Sequence, residues 1–307
     1  MSWQFVLTGL LIGTLVGMTG MGGGSLMTPI LVIVFGFKPA LAIGTDIAHG
    51  AIFKTFGAFR HRRLGNVQAK LSGWMFIGSG PMSILGVWLA SWLNHRYGDS
   101  VASAMSRVLG GALLFGCVGL VAKNFVQGKA AVDGDFKLER RDKIAAVLIG
   151  AFGGFIVGLT SVGSGVFFGL TMLVVFPLRA HKIVGTDIFH AAALLYVAGF
   201  GHFIAGNVDM SVVGWLLIGS IPGILIGSQL SVKVPDRPLR FVLAGVLGLS
   251  GLKLLNVPDT TIPIVVMLGV GLAVILGYIG REGMAHRRRV LADRLQTERL
   301  ATEERLA

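Results

Sequence analysis

Residues Gly17–Pro29 read GMTGMGGGSLMTP and interrupt an apolar run, Phe5–Phe37, that carries no charged residue. Glycine inside a helix costs about 1 kcal/mol relative to alanine. Gly17, Gly20, Gly22, Gly23 and Gly24 together therefore predict a break rather than a helix interior. Ser25 suits an N-cap, and Leu26–Phe35 suits a short helix whose unpaired N–H groups point back into the glycines. Broken backbone at membrane depth is tolerated only where it is buried in protein or lines a cavity. A helix N-terminus in such a place favours anions. Gly22, Gly23, Gly24 and Ser25 are accordingly candidate anion ligands.

The stretch occurs twice. Gly13-Thr-Leu-Val-Gly17-Met-Thr-Gly20-Met-Gly22-Gly-Gly24 matches Gly154-Phe-Ile-Val-Gly158-Leu-Thr-Ser161-Val-Gly163-Ser-Gly165, an offset of 141 residues (154 − 13). The offset holds without a gap downstream. Gly44-Thr45-Asp46 and His49 match Gly185-Thr186-Asp187 and His190; Gly65-Asn66-Val67 matches Gly206-Asn207-Val208; Gly73-Trp74 matches Gly214-Trp215; Pro81 matches Pro222. The chain is an internal duplication. Corresponding Gly-interrupted apolar segments in two halves point to a transporter binding site, which adds Gly163, Ser164 and Gly165 to the candidates. Thr45 and Thr186, in the duplicated Gly-Thr-Asp triplets, are counted with them.

Composition agrees with a membrane location. Of 307 residues 53% are apolar and 14% charged, against about 25% charged in soluble domains, and the mean hydropathy is +0.77. The net charge of +12 would suggest nucleic acid in a soluble protein. Here the positive charges gather in loops and the tail, so lipid rather than nucleic acid is the expected surroundings. The single cysteine, Cys117, excludes an intrachain disulfide and any multi-cysteine metal site. No cleavable signal peptide is apparent after Met1-Ser-Trp-Gln4.

The expected architecture is an all-α polytopic membrane protein of two inverted repeats. Each repeat has a Gly-rich broken helical hairpin plus three spans, and one extra C-terminal span follows. The segments are a first repeat over 1–122, a cytoplasmic linker over 123–143, a second repeat over 144–255, an extra span within 256–280 and a charged cytoplasmic tail over 281–307. Phe5–Phe37 is too short for two full spans of about 20 residues each, so it reads as two short helices, re-entrant or tilted. Orientation follows from placing Arg60-His-Arg-Arg63 inside. The linker's Lys123, Lys129, Lys137, Arg140, Arg141 and Lys143, then Arg179–Lys182, Lys233–Arg240 and the tail fall on the same side. Gly206–Asp209, with no Lys or Arg, falls outside. The span of Asp46 and that of Asp187 then run in opposite directions, as inverted repeats require. The tail alternates charge, as in Arg294/Glu298 and Arg299/Glu303, which suits a solvated helix; a homo-oligomer contact is the weaker reading.

Ionisable residues within spans are costly and functional by default. Asp46 and His49, and Asp187 and His190, each stand at i, i+3 on one helix face. They are candidates for proton coupling or gating; a structural reading has each Asp capping a kinked helix with His as its partner. Lys54 has Leu195 at the matching position in the second half. It can bind an anion, pair with Asp46, or snorkel toward Arg60, about 9 Å along the helix. No H-E-x-x-H metal motif and no G-x-S-x-G elbow is present, so no catalytic residue, metal or cofactor is assigned.

The duplicated G-x-x-x-G-x-x-G-x-G-G-G-S-x-x-x-P element, each copy followed by a Gly-Thr span and a Gly-x-Val then Gly-Trp span, resembles the sulfite exporter TauE/SafE family of membrane anion transporters. The resemblance covers Phe5–Gly280. It implies a secondary transporter in the bacterial inner membrane for sulfite, an organosulfonate such as sulfoacetate, or a related organic acid, with protons as the coupling ion. Many members read G-T-S where this chain has Asp46 and Asp187, and the second glycine cluster is reduced to Gly163-Ser164-Gly165. The alternatives are a passive anion channel, an intramembrane enzyme using the Asp/His pairs, or a sensor signalling through the tail.

Overall fold

A computed structural model of the chain describes residues 2–19, 24–97, 99–122, 138–230 and 236–258. The described residues are helical, with short turns and no strand among them. In chain order the first half forms α1 (Ser2–Thr19), α2 (Gly24–Ile33), α3 (Pro39–Arg63), α4 (Ala69–Tyr97) and α5 (Asp99–Ala122). The second half forms α6 (Arg140–Thr160), α7 (Phe167–Val175), α8 (Ala180–Ile204), α9 (Met210–Leu230) and α10 (Asp236–Leu254). The order of long, short and long helices repeats, as the 141-residue offset predicts. Among the described residues five helices are long and apolar enough to cross a membrane, within α4, α5, α6, α8 and α9. Large apolar side chains such as Trp88, Phe115, Leu148, Phe200 and Ile218 stay exposed on their outer faces, which suits a lipid surrounding in which the backbone is satisfied within each helix.

The broken hairpins differ in detail from the expectation. The first helix of each is long: α1 has 18 residues and α6 has 21. Only the second is short, with 10 residues in α2 and 9 in α7. Gly17 lies inside α1 rather than in the break, and Gly158 likewise lies inside α6. In α6 the reason is packing. A Cβ on Gly154 or Gly158 would collide with the backbone of Ser79 or Ser83 on α4, so glycine there permits the helices to touch. Helix α2 begins at Gly24, one residue before Ser25. Gly22 and Gly23, the extra span at 262–280 and the charged tail lie outside the described residues. Helix α6 starts at Arg140, within the expected linker, because Glu139 and Asp142 form a capping box; the Glu139 N–H donates to Asp142 Oδ2 at 3.0 Å.

Each long hairpin helix packs on the other half of the chain. Gly9 of α1 meets Leu216 of α9, Gly13 meets Ser220 and Gly227 meets Thr14, so α1 and α9 run parallel. Gly150 of α6 meets Met75 of α4, and Gly158 meets Ser83, so α4 and α6 run parallel in the equivalent way. Helices α3 and α8 cross antiparallel: Gly44 lies against His202, Gly50 against Leu195 and Gly57 against Ile188. Helices α5 and α10 are also antiparallel, Gly110 against Leu254 and Gly116 against Leu247. Two buried cores result. One joins α1 and α2 to α5, α9 and α10 around Met27, Leu31, Leu113 and Leu216. The other joins α6 and α7 to α3, α4 and α8 around Met75, Phe168, Met172 and Leu194. Each core draws helices from both halves.

This packing predicts opposite effects for two equivalent-looking substitutions. A Cβ at Gly13 would stand 2.5 Å from the Ser220 carbonyl oxygen, while one at Gly73 meets nothing within 4 Å. Gly13→Ala is expected to destabilise by about 1–3 kcal/mol through overpacking. Gly73→Ala should be neutral or stabilising by about 0.5–1 kcal/mol, since alanine favours the helix. Thermal unfolding of the detergent-solubilised variants distinguishes the two signs.

Candidate functional site

Helices α3 and α8 carry the charged residues, and the turn between α6 and α7 meets α3 beside them. That turn cannot be helical, since Ser161, Gly163 and Gly165 have φ of 61°, 120° and 108°. Gly163 and Gly165 thus serve a conformation that costs other residues energy. Ser161 adopts it as the left-handed cap of α6, its N–H bonded to the Val157 carbonyl at 2.7 Å.

Ser161 and Ser164 tie this turn to α3 of the other half. The Ser161 hydroxyl donates to Asp46 Oδ2 at 2.9 Å, and Thr28 of α2 donates to the same oxygen. The Lys54 ammonium donates to Ser164 Oγ at 2.9 Å. Asp46 and Lys54 are each 1% exposed and Ser164 is 1% exposed, so the contacts form away from bulk water. Lys54 therefore does not snorkel. It lies close enough to Asp187 and Asp46 for their charges to act on it, and its own charge acts on both His49 and His190. The structure thus gathers Asp46, His49, Asp187, His190 and Lys54 around one buried point.

The Asp/His pairs do not act as hydrogen-bonded pairs within their helix. His49 Nε2 bonds Ser220 Oγ of α9 at 2.8 Å and stacks on Phe53, ring centroids 5.0 Å apart. His190 Nε2 bonds Ser79 Oγ of α4 at 2.9 Å and meets Phe168 edge-on at 4.5 Å. Both histidines are buried with Nδ1 unpartnered among the described residues. Thr45 and Thr186 point elsewhere. Thr45 Oγ1 accepts the Asp209 N–H at 3.0 Å, and Thr186 Oγ1 accepts the Gln68 N–H at 2.9 Å. Each threonine pins the loop that enters α9 or α4 of the opposite half, with both partners related by the same offset.

The two halves are not chemically equivalent at this site. The positions matching Thr28 and Ser161 are Gly169 and Gly20, which have no hydroxyl to offer Asp187, and the position matching Lys54 is Leu195. One buried cation faces a site with two carboxylates. In a medium of low dielectric a buried charge is stable only when paired and hydrogen-bonded. Lys54 has three N–H donors, and one is spent on Ser164. The other two have no described hydrogen-bond partner.

The profile described as sulfite exporter TauE/SafE matches residues 5–254. The chain belongs to the TauE/SafE family. Probable membrane transporter protein YjnA of Bacillus subtilis (strain 168) is 39% identical over 258 residues, 83% of this chain and 100% of that protein. Probable membrane transporter protein MJ0441 of Methanocaldococcus jannaschii is 25% identical over 267 residues, 81% of this chain and 94% of that protein. Probable membrane transporter protein YdhB of Bacillus subtilis (strain 168) is 24% identical over 254 residues, 81% and 98% of the two chains. No solved structure matches. This TauE/SafE chain is therefore a membrane transporter with multiple helical crossings, and not an enzyme.

Sequence reasoning missed Thr28, Ser79, Ser161, Ser220 and His202. Three of these had a visible signal. Ser79 and Ser220 share the offset and precede the matched Pro81 and Pro222 by two positions, and His202 matches His61. Thr28 and Ser161 carried none, because their counterparts are glycines.

Proposed function

We propose that this TauE/SafE transporter carries a small anion, sulfite or an organosulfonate such as sulfoacetate, together with protons. The reading rests on Lys54, a buried ammonium whose one described hydrogen bond is to Ser164, set against the broken α6–α7 turn. The anion takes the two remaining N–H donors of Lys54, and Ser164 and the positive-φ turn around Gly163 and Gly165 form one wall. By the 141-residue duplication, Gly22, Gly23, Gly24 and Ser25 are assigned the same anion-binding role in the first half. Asp46 and Asp187, with His49 and His190 nearby, take up and release the accompanying protons.

The inverted-repeat reading is supported by α3 and α8. They are copies of one sequence element and cross antiparallel, so the axis relating them lies across the helices and, in a bilayer, in its plane. With the Arg60–Arg63 end in the cytoplasm of a bacterial cell, the linker and tail are cytoplasmic too.

The test is flux in proteoliposomes holding the full chain. Sulfite and sulfoacetate should exchange across the membrane at rates saturating with concentration, and an imposed pH gradient should drive their accumulation. Flux that rises linearly with concentration would indicate a channel. No flux of either anion, nor of a short carboxylate, would refute anion transport.

A further inference from the structure

The two ends of the α3/α8 pair differ in this conformation. At one end His202 of α8, 0% exposed, bonds the Gly158 carbonyl through Nε2 at 3.0 Å. A carbonyl only accepts, so Nε2 carries the proton. Gly158 stands among the last four residues of α6, whose carbonyls have no partner within the helix. The Val162 N–H that would otherwise reach it is bonded to Thr160 Oγ1 at 3.2 Å. His202 supplies the missing donor, and it does so three residues before Ser161 and six before Ser164, the two side chains that hold Asp46 and Lys54.

The duplication places the same two groups at the other end. His61 matches His202, and Gly17 matches Gly158, among the last four residues of α1. Antiparallel crossing of α3 and α8 sets His61 and His202 at opposite ends of the pair. Yet His61 makes no side-chain hydrogen bond among the described residues. Its Nδ1 is unpartnered, and it stands half-buried between exposed Arg60, Arg62 and Arg63. Arg62 and Arg63 are turned onto the rings of Phe189 and Phe59, at 5.8 Å and 4.2 Å. A second bond also closes the His202 end, from Asn207 Nδ2 to Ser91 Oγ at 3.0 Å. Its counterparts are Asn66 and Val232, and valine accepts no hydrogen bond, so this bond has no equivalent to be remade. Of these two bonds, only the histidine–glycine one has matching residues for both partners at the other end.

We propose that His202 and His61 are positioning residues of a reciprocal latch: the transport cycle releases His202 from the Gly158 carbonyl and engages His61 on the Gly17 carbonyl. Each latch holds the C-terminal end of one long hairpin helix and hence the broken turn that follows it. This conformation is latched at the His202 end. The proposal rests on the inverted-repeat transporter reading.

The experiment uses the full chain in sealed vesicles on a Cys117→Ser background with a Ser164→Cys reporter beside Lys54. The readout is the ratio of labelling rates by a membrane-impermeant thiol reagent added from each face. The reporter is expected to label faster from the His61 face. Losing one hydrogen bond of about 1 kcal/mol, His202→Ala should shift the ratio about fivefold toward the His202 face. His61→Ala should shift it the opposite way, and His202→Gln, whose amide donates to the same carbonyl, should restore the starting ratio. If His202 is a helix cap and nothing more, its alanine variant melts lower with an unmoved ratio, and the latch is overturned. If that variant does not fold, His61→Ala decides alone, since His61 has no bond to lose here; an unmoved ratio again overturns the proposal. Cysteines at Arg62 and Met210 in the same vesicles separate the two readings. Labelling of both from one face refutes the inverted repeats and the latch together, whereas opposite faces with an unmoved ratio refute the latch alone.

Discussion

Lys54→Leu is expected to leave the protein folded while weakening substrate binding by about 100-fold or more. Leucine is the residue that the second half of the chain carries at the matching position, where Leu195 is 2% exposed and packs in a buried core. The fold therefore already accommodates that side chain in the equivalent place. The change removes the cation whose bond to Ser164 is 2.9 Å long. Hydrogen bonds to charged groups contribute about 1.5–3 kcal/mol each, and two such bonds to an anion correspond to a factor of about 100 or more. Lys54→Arg keeps the charge but replaces a compact ammonium with a planar fork, so it should retain binding in part with altered preference among anions. Calorimetric titration with sulfite and sulfoacetate, beside a melting curve for each variant, checks the claim. Wild-type affinity in folded Lys54→Leu would place the anion elsewhere.

Asp46→Asn and Asp187→Asn should fold, lose accumulation driven by a pH gradient, and keep part of the exchange measured at equal pH. Asparagine preserves the size of the side chain and one carbonyl oxygen. At position 46 that oxygen still accepts from Thr28 and Ser161, the bonds that tie α2 and the broken turn to α3. What is lost is a group able to gain and release a proton. An anion entering against an inside-negative potential works against about 2.3 kcal/mol per charge per 100 mV, and protons travelling with it remove that opposition. The asymmetry of the site makes the two variants unequal. Asp46 has two hydroxyl donors, whereas the positions matching them for Asp187 are Gly169 and Gly20. Asp46→Asn acts on the α6–α7 turn through Ser161 and on α2 through Thr28. Uptake into proteoliposomes with and without a proton gradient separates coupling from binding. Gradient-driven accumulation surviving in both variants would make the carboxylates structural ties alone.

The general outline of this protein was legible along the chain. Apolar length, sparse charge and basic loops mark a helical membrane protein without reference to any contact. The 141-residue offset predicted that helix order would repeat, and α1–α5 and α6–α10 do repeat. The charged residues around the site were also readable, because Asp46, Asp187 and Lys54 are too costly in a span to stand there without purpose. Their partners were not readable. The i, i+3 spacing suggested Asp bound to His, yet Asp46 turns to Thr28 and Ser161 while His49 turns to Ser220, 171 residues away. Spacing in a helix fixes which side chains share a face, not what the face meets. The same limit explains the glycines. Local propensity puts Gly17 in a break, yet it lies inside α1; its counterpart Gly158 lies inside α6, where contact with Ser83 removes the space a Cβ needs. Periodicity, charge and duplication are properties of one chain read in order, and they determined the class, the repeat and the chemistry available. Which hydroxyl meets which charge, and which end of the α3/α8 pair carries the histidine–carbonyl bond, depends on surfaces that meet only after folding, and the tertiary structure alone decided it.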